Sequence, residues 1–298
     1  MSGHESKPDL PPLHWRAALR LMHHLPQGAL SRAFGSIADT PLPRSARAAV
    51  LSSFAKLMGI NVQEAEKPFE EYASINEFFV RRLRPGARII DADPAHVVSP
   101  VDGVVGQLGK IHAGELLQAK GRTYTAAALL GDPAQAERYI RGSFATIYLS
   151  PRHYHRIHAP AGGEVNRADH LPGALFPVNT AGVMHVDALF PRNERMACYV
   201  AATAGDVVVV AVGAYNVGRI SAAFDPAWRD GAHVTNRAGA VREIRRYSPS
   251  VPVSRGEEIM AFHLGSTVVM LFERPITFAP SAVPGAEITM GSTLGTVG

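Results

Sequence analysis

The sequence is almost free of cysteine, since Cys198 is the only one in 298 residues. A lone thiol excludes an internal disulfide and any zinc site built from several cysteines, and a reducing compartment is the simplest environment for it. Apolar runs are also short, and the longest, such as 207–212, have the length of a strand. A membrane-spanning helix needs about 20 apolar residues, so we expect none. The N-terminus lacks the charged, apolar and small-residue regions of a secretory signal, which favours a cytosolic origin.

Acidic residues are scarce in the N-terminal part of the chain. Over the whole sequence 30 basic residues stand against 26 acidic ones, a balance that suits an anionic partner without choosing between phospholipid and nucleic acid. Between positions 11 and 60, by contrast, Asp39 is the single acid. The basic residues of this stretch are Arg16, Arg20, Arg32, Arg44, Arg47 and Lys56. This segment is therefore distinctly cationic.

Apolar residues at spacings of four and then three predict three short helices in the cationic segment. Their apolar positions are Trp15, Leu19 and Met22, then Leu30, Phe34 and Ile37, and finally Val50, Phe54 and Leu57. Ser74 and Glu77 have the spacing of a capping box and predict a fourth helix, which is expected to end at Pro85-Gly86. Helices with an apolar stripe beside arginines either pack against a core or lie in a membrane interface. The pattern alone favours packing, and a lipid substrate would favour the interface.

After about position 91 the pattern changes to short β-branched runs separated by glycine and proline. The clearest runs are Val97-Val98, Val104-Val105, Ile147-Tyr148-Leu149, 207–212 and 268–272. One helix is expected to interrupt them at 126–130 and 134–140. The predicted fold class is therefore α+β, with a helical membrane-associating region at 1–90 and a mainly β, barrel-like or sandwich-like catalytic domain at 91–298.

The densest cluster of reactive groups lies at 148–160, where His153, His155 and His158 fall within six positions. On an extended segment His153 and His155 share a face, whereas His158 joins them only if the chain bends. Such imidazoles could bind zinc together with a distant carboxylate. They could equally be paired with backbone carbonyls or solvated, and the spacing matches no zinc signature.

Two further segments become informative beside the histidines. Asp102 lies in Ser-Pro-Val-Asp-Gly at 99–103, where an acid before glycine is by itself most typical of a turn. Gly265 and Ser266 lie in Leu-Gly-Ser-Thr at 264–267, directly before an apolar run. Because Gly265 has no Cβ, its carbonyl is open to attack and its backbone can adopt conformations that other residues avoid.

These three segments, in this order, resemble motifs of the bacterial phosphatidylserine decarboxylase family: S-P-x-D-G, Y-H-R-x-H-x-P and L-G-S-T. The matching residues are Asp102, His155, His158 and Ser266. The resemblance continues through 76–79, 117–121 and 190–195, and so covers most of the chain. One departure is His153, where the family often has an acidic residue, and we therefore assign His153 no catalytic role.

The resemblance implies that the chain is a proenzyme that cuts itself between Gly265 and Ser266. His158, held in its tautomer by Asp102, would take the hydroxyl proton of Ser266, which would attack the Gly265 carbonyl. The products would be a larger chain, 1–265, and a smaller chain, 266–298, whose first residue has become a covalent pyruvoyl group. Neither a metal nor a separate cofactor is implied.

The resemblance also implies the reaction of the mature enzyme. Phosphatidylserine would form a Schiff base with the pyruvoyl group and lose carbon dioxide to give phosphatidylethanolamine. His155 would serve this stage by contacting the phosphate or relaying a proton. The expected partners are phosphatidylserine, an anionic membrane surface on the cytoplasmic face, the two processed chains with one another and a second copy in a homodimer, but no nucleic acid.

Three alternatives remain open from the sequence. A zinc-dependent hydrolase would use His153, His155, His158 and Asp102 and would leave the chain uncut. A non-catalytic membrane-binding module would bind lipid without cleavage. A pyruvoyl enzyme could also act on a free amino acid, although the amphipathic N-terminal helices argue against that substrate.

Overall fold

The computed structural model describes residues 27–119, 121–214, 219–229, 235–263 and 267–298. The α-helices of the described residues are α1 Gln27–Asp39, α2 Arg44–Met58, α3 Ile75–Phe79, α4 Ala126–Leu130, α5 Pro133–Ala136, α6 Thr180–His185 and α7 Leu189–Arg192. The strands are β1 His96–Val98, β2 Gly103–Lys110, β3 Glu115–Ala119, β4 Arg122–Thr125, β5 Ser143–Tyr148, β6 Arg156–His158, β7 Gly163–Leu171, β8 Arg195–Ala202, β9 Val207–Val212, β10 Ile220–Ala222, β11 Glu243–Val253, β12 Glu258–Phe262, β13 Thr267–Phe272, β14 Ile276–Phe278, β15 Glu287–Ile288 and β16 Thr293–Val297. The predicted α+β class is confirmed.

One large antiparallel sheet organises the molecule. Its eight strands have the order β11-β7-β8-β9-β13-β5-β2-β15, and two smaller sheets have the orders β10-β12-β6 and β1-β16-β14. Within the described residues the two edge strands of the large sheet, β11 and β15, do not pair with each other, so the sheet is open. Strand β13 lies inside it, hydrogen-bonded to β9 on one side and to β5 on the other.

Both faces of the large sheet are buried. In β13, Val268 and Met270 belong to one hydrophobic cluster together with residues of the two smaller sheets. The alternate residues Val269 and Leu271 belong to a second cluster, which includes residues of α4 and α7. Burial on both faces explains why 207–212 and 268–272 are continuous apolar runs rather than alternating ones. Of the two predicted β architectures, the layered sandwich-like one is correct.

The first described helix turns its apolar stripe outward. Helix α1 covers the predicted helix at Leu30 to Ile37, but its buried side chains are the small residues Ser31 and Ala38. Phe34 and Ile37 are 50% and 67% exposed. The predicted helix at 15–22 lies outside the described residues.

Helix α2 contains the predicted helix at 50–57 and packs against α3. Its Leu51 and Ala55 are buried in a small cluster with Tyr72 and Phe78. Leu57, at the far side of the same helix, is 78% exposed. This helix therefore both packs and presents an apolar side chain to solvent.

The capping box of α3 is confirmed, but the predicted end of the helix is wrong. Ser74 Oγ accepts a hydrogen bond from Glu77 N, and Glu77 Oε2 accepts one from Ala73 N at 2.6 Å. The helix ends at Phe79 rather than near Pro85. The reason is tertiary, because the backbone at 82–84 leaves the helix to pair with the backbone at 64–66.

The predicted helical stretch inside the β region is confirmed in two pieces, α4 and α5, followed by a 3₁₀ turn at 137–139. Gly131, in the left-handed conformation, ends α4. Across the described part of the chain, none of the helices combines the length and apolar character needed to cross a bilayer. The division into a region at 1–90 and a domain at 91–298 stays a prediction.

Candidate active site

One end of the large sheet brings the three motifs together. Tyr148, the last residue of β5, pairs with Val104 of β2 on one side and with Thr267 of β13 on the other. Asp102 precedes β2, the histidine cluster follows β5, and residues 264–266 precede β13. Because neighbouring strands are antiparallel, the starts of β2 and β13 lie at the same end of the sheet as the end of β5. The strand register therefore brings Asp102, the histidine cluster and the start of β13 to one place, although they are far apart in the sequence.

Asp102 is held at this end by a buried ion pair. Arg88 donates to Oδ1 through Nε at 2.8 Å and to Oδ2 through Nη2 at 2.5 Å. The amide of Met290 donates a third hydrogen bond to Oδ1, at 2.8 Å. The hydrogen bond with Asp102 raises the pKa of Arg88, and Glu64 contacts the same guanidinium. The carboxylate is therefore fixed in position and fully matched by donors.

Gly103 allows Asp102 to sit so close to β5. A Cβ at this position would lie 2.6 Å from both the Ile147 side chain and the Tyr148 carbonyl oxygen. Any larger residue would push the start of β2 away from β5. The Asp-Gly pair is thus required for close strand packing as well as for the turn.

His158 is buried and its tautomer is set by a backbone carbonyl. Its Nδ1 lies 2.8 Å from Gly256 O, which only accepts, so Nδ1 carries the proton. Its Nε2 lies 3.2 Å from the Tyr154 hydroxyl, which donates to the remaining lone pair. Burial lowers the pKa of His158, against smaller opposing effects of Gly256, Glu258 and Asp102.

The prediction that Asp102 holds the tautomer of His158 is therefore wrong, because the carbonyl of Gly256 holds it. Among the described residues the hydrogen bonds of Asp102 come from Arg88 and Met290, and those of His158 involve Gly256 and Tyr154. The physical reason is that the guanidinium saturates the carboxylate. Asp102 still acts on His158 through its charge, which raises the pKa of the imidazole.

His155 is fully buried beside α3. Its Nδ1 donates to the His153 carbonyl at 2.8 Å, and its ring lies against Phe79 with centroids 4.0 Å apart. Its Nε2 is enclosed and finds no hydrogen-bond partner among the described residues. Burial, and then the charge of Arg81, lower the pKa of His155 well below its usual value. His155 therefore presents a neutral ring with an unoccupied nitrogen.

His153 has a structural hydrogen bond. Its Nδ1 accepts the amide hydrogen of Ser150 at 2.9 Å, and its own amide donates back to the Ser150 carbonyl at 3.0 Å. The lone pair that a metal would need is thus engaged in holding the turn. Among the described residues, no group of three or more His, Cys, Asp or Glu side chains is placed to hold a metal ion. The geometry gives the zinc alternative no support.

Gly265 and Ser266, the predicted cleavage site, lie outside the described residues together with Leu264. Their neighbours on both sides are placed. His263 donates its amide to the Arg219 carbonyl, and its ring contacts Asn76 of α3 and Ser221 of β10. Thr267 begins β13. A cleft of about 620 Å³ opens beside His263 and reaches Asp39 at the end of α1.

Two other motif segments have packing roles. In 117–121, the Gln118 side chain donates to the carbonyls of Val183 and Val186 at 2.8 Å and accepts from Leu189 N. In 190–195, the Arg195 guanidinium donates to backbone carbonyls of Ala128, Leu129, Pro191 and Asn193. The Arg195 contacts fasten α4 and α7 to the large sheet, and the Gln118 contacts fasten α6 and α7 to β3.

Sequence reasoning missed three residues at this site: Arg81, Arg88 and Tyr154. Tyr154 lies in the Y-H-R-x-H-x-P motif but has no predicted role. Arg81 lies at the basic end of the predicted fourth helix, Arg88 lies beyond that end, and neither residue has a predicted role either. Only Arg88 left a usable signal, because an isolated buried acid such as Asp102 requires a cation somewhere in the chain.

Comparisons with known proteins agree with these motifs. A family model described as phosphatidylserine decarboxylase matches residues 75–296. A phosphatidylserine decarboxylase proenzyme of Myxococcus xanthus is 42% identical over 280 residues, 94% of this chain and 98% of the relative. Proenzymes with the same name from an Anaeromyxobacter species and from Brevibacillus brevis are 44% and 41% identical, over 94% and 93% of this chain and 96% of each relative.

Proposed function

The chain belongs to the phosphatidylserine decarboxylase family, and from this premise we propose that it cuts itself before Ser266 and decarboxylates phosphatidylserine to phosphatidylethanolamine. The observation that carries the proposal is the convergence of Asp102, the histidine cluster and the start of β13 at one end of the sheet. Self-cleavage requires an acid, a base and a nucleophile in one place. This is the arrangement that the register supports.

His158 is the proposed base of the cleavage step. With its proton on Nδ1, His158 has its basic lone pair on Nε2, and the lowered pKa keeps the ring neutral near pH 7. The Nε2 lone pair accepts a hydrogen bond from the Tyr154 hydroxyl, and the same lone pair would take the proton of Ser266. Asp102, fixed by Arg88, would stabilise the imidazolium through space.

The proposed bond changes balance without an oxidant or a reductant. Ser266 Oγ attacks the Gly265 carbonyl and expels the Ser266 nitrogen, which gives an ester and a free amine. Elimination then breaks the ester Cβ–Oγ bond, leaving a Gly265 carboxylate and a dehydroalanine. Water hydrolyses the dehydroalanine to a ketone and releases ammonia. The resulting pyruvoyl group begins the chain 266–298.

The residues near this end suit a pyruvoyl group. When present, its ketone would accept the electrons that remain when carbon dioxide leaves the substrate. The Nε2 of His155 is enclosed and has no partner within the part of the chain that the structure describes, and the lowered pKa keeps the ring neutral, so it could accept or return a proton in a water-poor site. We assign His155 to the decarboxylation stage rather than to cleavage.

Intact mass and N-terminal sequencing of the purified protein test the proposal. We expect two chains, 1–265 and a 33-residue fragment 266–298 whose first residue is blocked to sequencing. Incubation with phosphatidylserine should then release carbon dioxide and phosphatidylethanolamine. A folded protein that stays in one piece would contradict the self-cleavage, whatever lipids it binds.

We also propose that the protein works as a peripheral protein on an anionic membrane surface. Supporting this, α1 exposes Phe34 and Ile37, and α2 exposes Leu57. The cationic side chains Arg44 and Lys56 on α2 are exposed as well. An apolar face beside cations is typical of helices that insert into the interface of anionic bilayers. The cytoplasmic face and a homodimer are finer proposals that follow from the family resemblance.

Replacing Phe34, Ile37 and Leu57 with serine together should weaken binding to phosphatidylserine vesicles by at least about 100-fold, because each lost side chain removes about 1.5–3 kcal/mol of apolar burial in the interface. Vesicle sedimentation measures the effect. Val283→Ser is the matched control, since Val283 is 50% exposed, like Phe34, but lies in the loop between β14 and β15, outside α1 and α2. Equal binding by the triple variant and the control would disprove this docking surface.

A further inference from the structure

Arg81 is a buried arginine that has no acidic partner among the described residues. It is 2% exposed, and none of those residues offers its enclosed Nε a hydrogen-bond acceptor. Its Nη1 makes one long contact, 3.5 Å, to the Phe79 carbonyl, and its guanidinium lies 5.4 Å from the centroid of the Phe78 ring. Within the described residues no carboxylate forms an ion pair with it.

The other arginines near this end of the sheet are matched. Arg88 pairs with Asp102 and Glu64, and Arg156 pairs with Glu258 at 2.5 Å. Burial lowers the pKa of Arg81, but a guanidinium remains protonated at every ordinary pH. The charge therefore stays in the interior, and among the described residues no ion pair offsets its desolvation cost.

Arg81 lies among the residues of the candidate site. Its charge lowers the pKa of His155, and the charges of Asp102 and Tyr154 act on Arg81 in turn. Phe79, whose carbonyl Arg81 contacts, packs its ring against His155. A buried guanidinium beside the site, without an acidic partner among the described residues, is what an anionic ligand would satisfy.

We propose that Arg81 is an anion-binding residue for the phosphodiester of the substrate headgroup. The proposal rests on the proposed function, since phosphatidylserine supplies the phosphodiester. A guanidinium can donate to two phosphate oxygens at once. Hydrogen bonds to the phosphate would then offset the cost of burying the charge.

Chemistry favours the phosphodiester over the serine carboxylate as the ligand. Decarboxylation removes the negative charge from the carboxylate, so a cation bound to that group would stabilise the starting state more than the transition state. The phosphodiester keeps its charge throughout the reaction. Arg81 can therefore hold the headgroup without opposing the loss of carbon dioxide.

Binding of soluble headgroups to the uncut full chain tests the assignment. Isothermal titration of glycerophosphoserine and glycerophosphoethanolamine into Ser266→Ala is compared with the same titrations into Ser266→Ala/Arg81→Met. We expect affinity for both ligands to fall about 10- to 100-fold, because a charged hydrogen-bond donor to phosphate is lost. Arg81→Lys should lie between the two. A fall for glycerophosphoserine alone would assign Arg81 to the carboxylate and overturn the proposal.

The control is Arg138→Met, which removes an arginine that contacts Asp206 at the opposite end of β9 and should leave both affinities unchanged. Thermal unfolding separates binding from structure: Arg81→Met should melt at or above the melting temperature of its parent, because it removes an unmatched buried charge. A lower melting temperature with unchanged affinity would show a structural role and disprove the proposal. Failure of the proposed function is read separately, from an uncut wild-type chain.

Discussion

Ser266→Ala is expected to yield a single uncut chain of 298 residues with no measurable decarboxylase activity. Without Oγ there is no nucleophile for the Gly265 carbonyl and no precursor of the pyruvoyl ketone, so both the cut and the reactive group are lost together. Intact mass shows the first effect, and release of carbon dioxide from phosphatidylserine shows the second. Because the side chain shrinks by one atom, the fold should survive, as circular dichroism can verify.

The matched control lies one residue further on. Thr267 Oγ1 is buried and has no hydrogen-bond partner among the described residues, so Thr267→Val removes a hydroxyl at almost constant volume. This variant should still cut itself. Cleavage in Ser266→Ala would contradict the assignment of the nucleophile, and a block in both variants would show that the segment is merely sensitive to change.

Arg88→Met should lower the free energy of unfolding by about 3–5 kcal/mol and slow self-cleavage strongly. The substitution leaves the Asp102 carboxylate buried without its cation, which is the costly way to break a buried ion pair. It also frees the Asp102 carboxylate to move, and the charge of this carboxylate raises the pKa of His158. Urea unfolding is best measured in the Ser266→Ala background, where the chain stays intact, and cleavage in the parent chain by the fraction cut with time.

A second substitution separates the two effects. Arg88→Met/Asp102→Asn removes the stranded charge while leaving an oxygen to accept the Met290 amide, so stability should largely return but cleavage should not. The exposed pair of Arg122 with Asp187 is the comparison, since Arg122→Met should cost less than about 1 kcal/mol. Equal costs for Arg88→Met and Arg122→Met would mean that the Asp102 pair does not fix the site.

The parts of the fold that the sequence predicted well depend on local patterns. The helices at 30–37 and 50–57 and the capping box at Ser74 follow from spacing along one segment, and the runs at 207–212 and 268–272 have strand length and β-branched side chains. The predicted end of α3 was wrong because the backbone at 82–84 pairs with residues 64–66, and this pairing outweighs the helix-ending signal at Pro85-Gly86. That pairing cannot be read from the helix itself.

The candidate site shows the same division. Asp102, His155 and His158 were identified because each lies in a short ordered motif, and the register brings their segments to one end of the sheet. Their partners could not be identified in this way. Gly256, which sets the tautomer of His158, is 98 positions away, and Met290, which holds Asp102, is 188 positions away. Such pairs arise from strand order, which no local pattern encodes.

The position of β13 inside the large sheet determines whether the protein can refold before and after self-cleavage. The proposed cut, before Ser266, falls just ahead of β13, a strand that is hydrogen-bonded on both sides, and the 33-residue chain also supplies β14, β15 and β16. Before the cut, the pairing of β13 with β5 and β9 takes place within one chain and is unimolecular. Afterwards, a denatured enzyme would have to recover its middle strand from solution by a bimolecular encounter, so the precursor can refold and the mature protein, once unfolded when dilute, cannot.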